Sequence, residues 1–304
     1  MPIWGLLSFI LLRVVPATGD LALLPPYAAL ESRLAAYVAT RPGEYGIYFK
    51  DLETGTSIGL GARESFFAAS TVKVPVVLYL MEKVLAGQES LTNSEIYLPG
   101  DYEWGSGVIQ FQPTGSRYTL LTLAQYCFRY SDNVAVNMLR RRFGPADIGA
   151  YQKSLGASVV LGESNVTSPY STALYLRRWL EIADTDPRAR ELFAILESSK
   201  PLDRIPAGLP PGIRCAHKIG NWHGVINDVA VVYAQHPYIL CLYSRGVTYG
   251  QGTTSLAGLS ALVYQYQAEH WAAERERLEQ QRLFSGIEAF LRTVERCLGR
   301  GPGG

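Results

Sequence analysis

The stretch that decides the fold is FFAASTVKVPVVLYLM, residues 66–81. Its polar residues are grouped near the start, where Ser70 and Lys73 stand three residues apart. A helix that begins near Ser70 would bring the two side chains onto one face of its first turn. The apolar run that follows would exclude water from the lysine, which lowers its pKa and lets it remove a serine proton. The spacing therefore indicates an activated serine nucleophile, although one Ser-x-x-Lys pattern is also expected by chance in a chain of this length.

Patterns on both sides of this stretch predict how it is embedded. A helix is expected after a Pro-Pro pair at 25–26, and a β-hairpin around the turn at 53–55. Helical periodicity covers 76–85, 121–130, 134–143, 172–182 and 254–271, whereas RCAHKIG, NDVAVVYA and YILCLYSRG have strand patterns. Strands near both ends predict one sheet drawn from distant parts of the chain. A helical lobe is then inserted into it, and the cleft between the lobes is the expected site.

Composition limits the class of protein. The 304 residues are 48% apolar and 18% charged, with a formal net charge of +1. Such a chain is expected to be globular, as one large domain or two interleaved lobes. The balanced charge offers no electrostatic footprint for nucleic acid and favours a small or weakly charged partner. The four cysteines have no metal-ligand spacing and are predicted to be buried thiols; a disulfide stays open if the protein is exported.

The first twenty residues bear on export. An apolar run from Ile3 to Leu12 is followed by Val15-Pro16-Ala17, which has the small-residue character of a cleavage site. Residues 1–20 are therefore predicted to be a signal peptide, and the protein to be periplasmic or secreted. The alternative is an amphipathic first helix that packs on the core. No membrane span is expected in the mature protein.

Two further short motifs could carry chemistry. In Ser131-Asp132-Asn133 a second hydroxyl stands beside an amide, as a proton relay and a substrate anchor would need, but the triplet is also an ordinary helix N-cap. In the run 217–220, Lys218 and Gly220 close a strand. That pair lets a substrate backbone approach a positive charge, or the lysine simply protects a sheet edge.

Together and in this order, the three motifs resemble the signature set of class A β-lactamases and penicillin-binding proteins, namely S-x-x-K, S-D-N and K-T-G. The resemblance covers roughly residues 28 to 270. It implies an α+β fold in which a five-stranded antiparallel sheet is flanked by N- and C-terminal helices and carries an inserted all-helical lobe. The domain would span 21–271, with a sheet lobe at about 21–62 and 201–271 and a helical lobe at about 63–200. Residues 272–304 would form a helical extension and a disordered tail.

The resemblance also implies roles for individual residues. Ser70 would be the acylated nucleophile, and Lys73 its base or proton relay. Ser131 would pass a proton to the leaving nitrogen, Asn133 would hold the amide side chain of the substrate, and Lys218 would face the substrate carboxylate.

Three further residues complete the implied site. The backbone amides of Ser70 and Asn221 would form the oxyanion hole, and Gly220 would lie along the substrate. Ser106, in the loop at 105–110, would stand at the substrate edge. No metal or organic cofactor is implied.

The sequence departs from the family pattern in two places. Ile219 replaces the threonine of K-T-G and cannot donate a hydrogen bond, so carboxylate recognition is expected to be weaker or rebuilt, for example by Arg245 or His223. The loop between 155 and 168 is about half the family length. Glu163 is the candidate for the deacylation base there, although its spacing differs from the family's E-x-x-x-N; a solvated turn carboxylate is the alternative.

These observations leave several functions open. The leading hypothesis is an enzyme that opens the amide bond of β-lactams through an acyl-Ser70 intermediate, slowly because the deacylation loop is short. Alternatives are a D-Ala-D-Ala peptidase or transpeptidase acting on acyl-D-Ala peptides, an esterase, or an inactive protein that binds cell-wall peptide. A metal-dependent hydrolase is disfavoured because the four histidines show no ligand spacing. The natural substrate and the oligomeric state stay open.

Overall fold

The computed structural model of the protein describes residues 27–162 and 164–298, with side-chain surroundings up to residue 292. The predicted signal peptide at 1–20, the candidate Glu163 and the tail after residue 298 lie outside the described residues.

The described chain forms eight α-helices and nine strands. The helices are α1 Ala28–Ala39, α2 Lys73–Leu85, α3 Leu120–Arg129, α4 Asn133–Phe143, α5 Pro145–Ser154, α6 Pro169–Thr185, α7 Pro187–Ala194 and α8 Tyr249–Leu298. The strands are β1 Glu44–Asp51, β2 Ser57–Leu60, β3 Phe66–Phe67, β4 Ser94–Ile96, β5 Arg117–Thr119, β6 Val166–Thr167, β7 Arg214–Trp222, β8 Val225–Tyr233 and β9 Tyr238–Arg245. The hairpin, the three late strands and the expected helices are confirmed; α5 and α7 were not expected.

Five strands form one antiparallel sheet in the order β2-β1-β9-β8-β7. Strand β1 pairs along its whole length with β9, so that Tyr48 stands opposite Cys241. The prediction of a sheet assembled from both ends of the chain is therefore confirmed. Strand β8 is buried from Val225 to Val232, as expected of a strand whose two faces are both covered.

Each face of the sheet packs on helices. On one face, Leu30 and Leu34 of α1 and Leu256 and Leu259 of α8 are fully buried against apolar strand residues. On the other face stands the helical lobe, whose central helix α2 is buried from Lys73 to Met81. An apolar helix in the middle of a lobe thus carries a lysine at its first residue.

The lobe between β2 and β7 is mainly helical but also holds two small sheets. Strand β3 pairs with β6, and β4 pairs with β5. The expectation of an all-helical lobe left these short pairings out, because strands of two or three residues have no detectable periodicity.

Helix α8 does not stop near residue 271, where its core-facing pattern ends. It runs unbroken through 50 residues, and most side chains between 272 and 292 are exposed. The extension therefore continues a core helix. Among the described helices none is long and apolar enough to cross a membrane.

The prediction of buried thiols is confirmed for three of the four cysteines. Cys127, Cys215 and Cys241 are free and buried, whereas the side chain of Cys297 lies outside the described part.

Candidate active site

The serine and the lysine of the first motif meet at a turn that leads into α2. Residues Ala69–Val72 form one turn of 3₁₀-helix, and the α-helix begins at Lys73. Because a 3₁₀-helix has three residues per turn, side chains three apart eclipse one another. The ammonium of Lys73 accordingly donates a hydrogen bond of 2.8 Å to Ser70 Oγ. Just before the serine, Ala69 has a left-handed backbone with φ of 48°, a costly conformation that is found mainly at functional sites.

Neighbouring elements hold this turn in place. Asn227 on β8 is fully buried and donates from Nδ2 to the carbonyl of Phe67 at 2.9 Å. Thr71 Oγ1 donates to the carbonyl of Ala68 at 2.8 Å. Strand β7 packs directly on the turn at Gly220, where a Cβ atom would lie 2.7 Å from that same carbonyl. Only a residue without a Cβ atom fits here against the turn that carries Ser70, which we call the nucleophile turn. Gly220 therefore supports this turn and does not line the cleft.

Burial dominates the electrostatics of Lys73. Its side chain is 1% exposed, and Nζ also donates to Asn133 Oδ1 at 2.8 Å. Loss of hydration lowers its pKa from 10.5 to about 8, against a smaller upward effect of the Glu103 and Asp132 charges. A larger share of Lys73 than of an exposed lysine is therefore neutral at pH 7. Such a lysine can accept a proton from the serine that it contacts.

A second serine–lysine pair faces the first. Lys218 Nζ donates to Ser131 Oγ at 2.9 Å. The lysine is 2% exposed, and burial, followed by the positive charge of Lys73, lowers its pKa well below the usual value. Ser131 has a left-handed backbone with φ of 51°. Both serines thus stand beside a strained backbone and a buried lysine.

Asp132 joins the second motif to the loop at 105–110. It caps α4 by accepting from the backbone of Ala135 at 2.9 Å, so the helix-cap interpretation is confirmed for this residue. Its other oxygen accepts from the backbone amides of Val108 and Ile109 at 2.6 and 2.9 Å. Asp132 therefore hydrogen-bonds the start of α4 to the loop that holds Ser106.

A further cation lies behind Lys218 and was not expected. Arg204 is fully buried and donates from Nη1 to the carbonyl of Asn227 at 3.2 Å. Its charge also works to lower the pKa of Lys218. The only signal in the sequence is an arginine before a Pro-rich loop, a pattern without chemical meaning of its own.

The site opens onto a cleft of about 320 Å³. Five of the predicted site residues line it, namely Ser70, Ser106, Ser131, Lys218 and Asn221. The remaining lining residues are Phe128, Arg129, Tyr130, Ser199, Lys200, Pro201 and Ile219. Except for Ile219, none of these seven was singled out from the sequence. Asn133 reaches the site through Lys73 and is not among the lining residues.

The two residues offered as replacements for the missing threonine do not line the cleft. Arg245 bonds Glu44 Oε2 through Nε at 3.1 Å and Nη2 at 2.5 Å, and it donates to the carbonyl of Ser65 at 3.2 Å. His223 packs edge-on against Trp222. The structure therefore places Arg245 in an ion pair with Glu44 at the end of β9, outside the cleft lining.

The short loop before α6 also touches the nucleophile turn. The backbone amide of Ala68 donates to the carbonyl of Asn165 at 3.0 Å. Leu161 is 1% exposed and contacts the same small cavity as Ala68 and Val72. Within the described residues, no carboxylate is hydrogen-bonded to Ser70, and Glu163 lies outside them.

The described residues offer no metal site. No group of three or more His, Cys, Asp or Glu side chains is gathered closely enough in 27–162 and 164–298 to hold a metal ion. The groups brought together at the cleft include two serine–lysine pairs, Ser70 with Lys73 and Ser131 with Lys218.

Three comparisons connect this geometry to known proteins. A model of the β-lactamase enzyme family matches residues 29–267. A β-lactamase of Mycobacterium tuberculosis is 27% identical over 248 residues, covering 73% of this chain and 79% of the relative. The solved structure of PBP-A is 27% identical with a TM-score of 0.75, covering 81% of this chain and 99% of the other. A mutant of PBP-A, solved as an acyl-enzyme complex with penicillin G, superposes with the same TM-score of 0.75 and identity of 27%, covering 81% of this chain and 100% of the other.

Proposed function

The chain belongs to the β-lactamase enzyme family and is a serine hydrolase of that type, and we propose that it opens β-lactam rings through an acyl-enzyme on Ser70. The observation that carries this proposal is the 2.8 Å contact between Ser70 Oγ and Lys73 Nζ in a buried environment. A protein that only bound peptide would have no use for a desolvated lysine beside a hydroxyl. The contact therefore argues against an inactive binding protein.

Acylation would proceed in three proton transfers. Neutral Lys73 takes the proton of Ser70 Oγ while the oxygen attacks the lactam carbonyl, and the oxyanion is met by the backbone amides of Ser70 and Asn221. The lactam C–N bond then breaks, and the leaving nitrogen receives a proton from Ser131. Lys218 is bonded to Ser131 at 2.9 Å and can replace that proton, so a complete relay stands on the leaving-group side.

Deacylation is proposed to be slow. Water must attack the ester carbonyl, lose a proton to a base and return Ser70 as a hydroxyl. Two described residues of the short loop lie at the turn: Leu161, which is buried and apolar, and Asn165, whose Nδ2 donates to the carbonyl of Ala69 at 3.4 Å. Because neither a leucine nor a carboxamide is a base that takes a proton from water, the acyl-enzyme is expected to persist, unless Glu163 supplies the base.

A second candidate function is supported by one specific observation. PBP-A has a TM-score of 0.75 to this chain, and its mutant forms a penicillin G acyl-enzyme. A stable adduct together with a short loop would suit a D-Ala-D-Ala peptidase or transpeptidase, in which an amine or water slowly takes the acyl group from Ser70.

The test is intact-protein mass spectrometry after mixing with excess benzylpenicillin. The wild type is expected to gain one penicillin mass, and Ser70→Ala is expected to gain none. Ser116→Ala is a matched control, because Ser116 is an exposed turn residue and its loss leaves the nucleophile intact.

The time course separates the candidates. An adduct that lasts for hours favours the peptidase, whereas an adduct that disappears while penicillin is consumed establishes a working β-lactamase. If no adduct forms and no penicillin is lost, acylation by β-lactams is refuted.

Export is part of the same proposal, since β-lactams and cell-wall peptides are met outside the cytoplasm. Its support is the apolar run from Ile3 to Leu12 followed by small residues. N-terminal sequencing of protein recovered from the periplasm or medium would test it; an intact Met1 in cytoplasmic protein alone would contradict it.

A further inference from the structure

The cleft wall carries more positive charge than the proposed chemistry uses. Three cationic residues line it, namely Arg129, Lys200 and Lys218, and none of its described lining residues is acidic. Lys218 is already engaged, because its ammonium donates to Ser131 Oγ at 2.9 Å and to the carbonyl of Ile219 at 3.0 Å. The other two cations have no assigned task.

Arg129 and Lys200 also lack partners of their own. Both are exposed, and within the described part of the chain neither forms an ion pair or a side-chain hydrogen bond. Other exposed arginines have a partner of some kind: Arg188 is paired with Asp186 and Arg214 with Glu197, whereas Arg63 lies over the ring of Tyr170. The helix C-terminus attracts a cation at Arg129, the last residue of α3, but this explanation does not extend to Lys200, which lies in a loop.

The two residues lie on a defined side of the substrate. Ser131, which would protonate the leaving nitrogen, follows Arg129 by two residues, and Lys200 lines the same cleft beside Ser199 and Pro201. A group that meets these cations would therefore belong to the leaving-group side, next to the carboxylate that faces Lys218. Ile219 contributes no hydroxyl there, so charge must replace a lost hydrogen bond.

We propose that Arg129 and Lys200 bind a second anionic group on the leaving-group side, so that the preferred substrates are amides whose departing part carries two acidic groups. This inference rests on the proposed acylation of Ser70. It concerns recognition only, since neither side chain contacts Ser70 or Lys73. The electrostatic attraction at exposed side chains is modest and screened by salt.

The test uses two cephalosporins that differ at a single group. One carries a carboxymethylthiomethyl substituent at C3 of the ring, and the other carries the carbamoyl equivalent, which has the same shape but no charge. Acylation of Ser70 is followed by mass and by loss of ring absorbance. We expect the dianion to acylate the wild type about fivefold faster at low salt, equivalent to about 1 kcal/mol, and the ratio to fall toward one in 1 M NaCl.

Variants assign the effect to the two cations. In the Arg129→Gln/Lys200→Gln double variant the ratio between the two compounds is expected to fall to about one, with an intermediate ratio in each single variant. Lys153→Gln makes the same charge change at an exposed position outside the cleft lining and should leave the ratio near five.

The outcomes are distinguishable from failure of the proposed function. Equal acylation rates in the wild type, or a ratio that survives the double substitution, would overturn this inference while leaving acylation intact. If neither cephalosporin acylates Ser70, the proposed function itself fails.

Discussion

Replacement of Lys73 by methionine should make the protein more stable at neutral pH while abolishing acylation. The side chain is 1% exposed, and burial lowers its pKa from 10.5 to about 8. One pH unit corresponds to about 1.4 kcal/mol, so holding the buried ammonium charged at pH 7 costs about 3 kcal/mol. Methionine has a similar length and no charge to desolvate.

Part of that gain is offset by lost hydrogen bonds. The ammonium donates to Ser70 Oγ and Asn133 Oδ1, both at 2.8 Å; Ser70 lines a cleft that water can enter, whereas Asn133 does not line it. A net stabilisation of about 1–2 kcal/mol at pH 7 is therefore expected. Removal of the Lys73 charge also relieves Lys218, whose pKa it helps to lower, and this acts in the same direction.

The stability difference between Lys73→Met and the wild type is expected to depend on pH. The folded-state pKa of Lys73 lies below the unfolded value, so between about pH 8 and 10.5 the unfolded chain binds more protons and wild-type stability rises with pH. The advantage of Lys73→Met should then be full at pH 7 and mostly lost at pH 10. Urea denaturation of both proteins at the two pH values measures the difference.

A second lysine on the same helix provides the control for this prediction. Lys83 reaches solvent and donates to Gln88 at 3.0 Å, so Lys83→Met should bring no gain in the free energy of unfolding. If Lys73→Met is less stable than the wild type at pH 7, or if its advantage does not shrink toward pH 10, the lysine is not held at a desolvation cost. An adduct with benzylpenicillin in Lys73→Met would refute its role as base.

Two further substitutions test the support of the site. Gly220→Ala places a Cβ 2.7 Å from a backbone carbonyl of the nucleophile turn, so it should cost about 1–3 kcal/mol and slow acylation more than tenfold; Gly100→Ala, where nothing lies within 4 Å, should change neither in urea denaturation and adduct-formation assays. His217 is buried against Asp228 at 3.0 Å; burial works to lower its pKa, but the carboxylate charge raises it above 6.5. The stabilisation from this pair is complete below pH 6.5 and is lost as pH rises through the folded-state pKa. His217→Gln should therefore destabilise the protein by about 3 kcal/mol at pH 6 and by less at pH 9, and an equal cost at both pH values would contradict a charged histidine.

The fold was predictable where periodicity is strong. The three late strands were expected within two residues of their observed bounds, because their apolar runs are flanked by Gly and Pro. Helix α5 has ten residues and little amphipathic pattern, and α7 has only eight residues, about two turns, which is too short for its periodicity to be recognised. The pairing of β1 with β9 could be inferred only as a shared sheet, since the order of strands depends on contacts between residues almost two hundred positions apart.

The site was predictable where its residues are consecutive in sequence. Ser70 and Lys73 share a turn, and Ser131 and Asn133 share a cap, so local geometry alone brings each pair together. Asn227, Arg204 and Lys200 could not have been chosen in this way. Each stands in an unremarkable sequence, and each reaches the site only because β8 and the loop before β7 pack against the nucleophile turn.

Acylation and deacylation, the two halves of the proposed reaction, therefore depend on different features of the chain. Acylation depends on short motifs whose members lie within a few residues of one another, and the described chain pairs Ser70 with Lys73 and Ser131 with Lys218. Deacylation depends on the side chains that the loop before α6 directs toward the turn. The described ones are Leu161, 1% exposed, which lines a small pocket with Ala68 and Val72, and Asn165, whose Nδ2 donates to the carbonyl of Ala69 at 3.4 Å. Since neither an apolar side chain nor an amide can take a proton from water, we infer that the lifetime of the acyl-enzyme, and with it the choice between a β-lactamase and a peptidase, is decided by this loop and not by the three motifs.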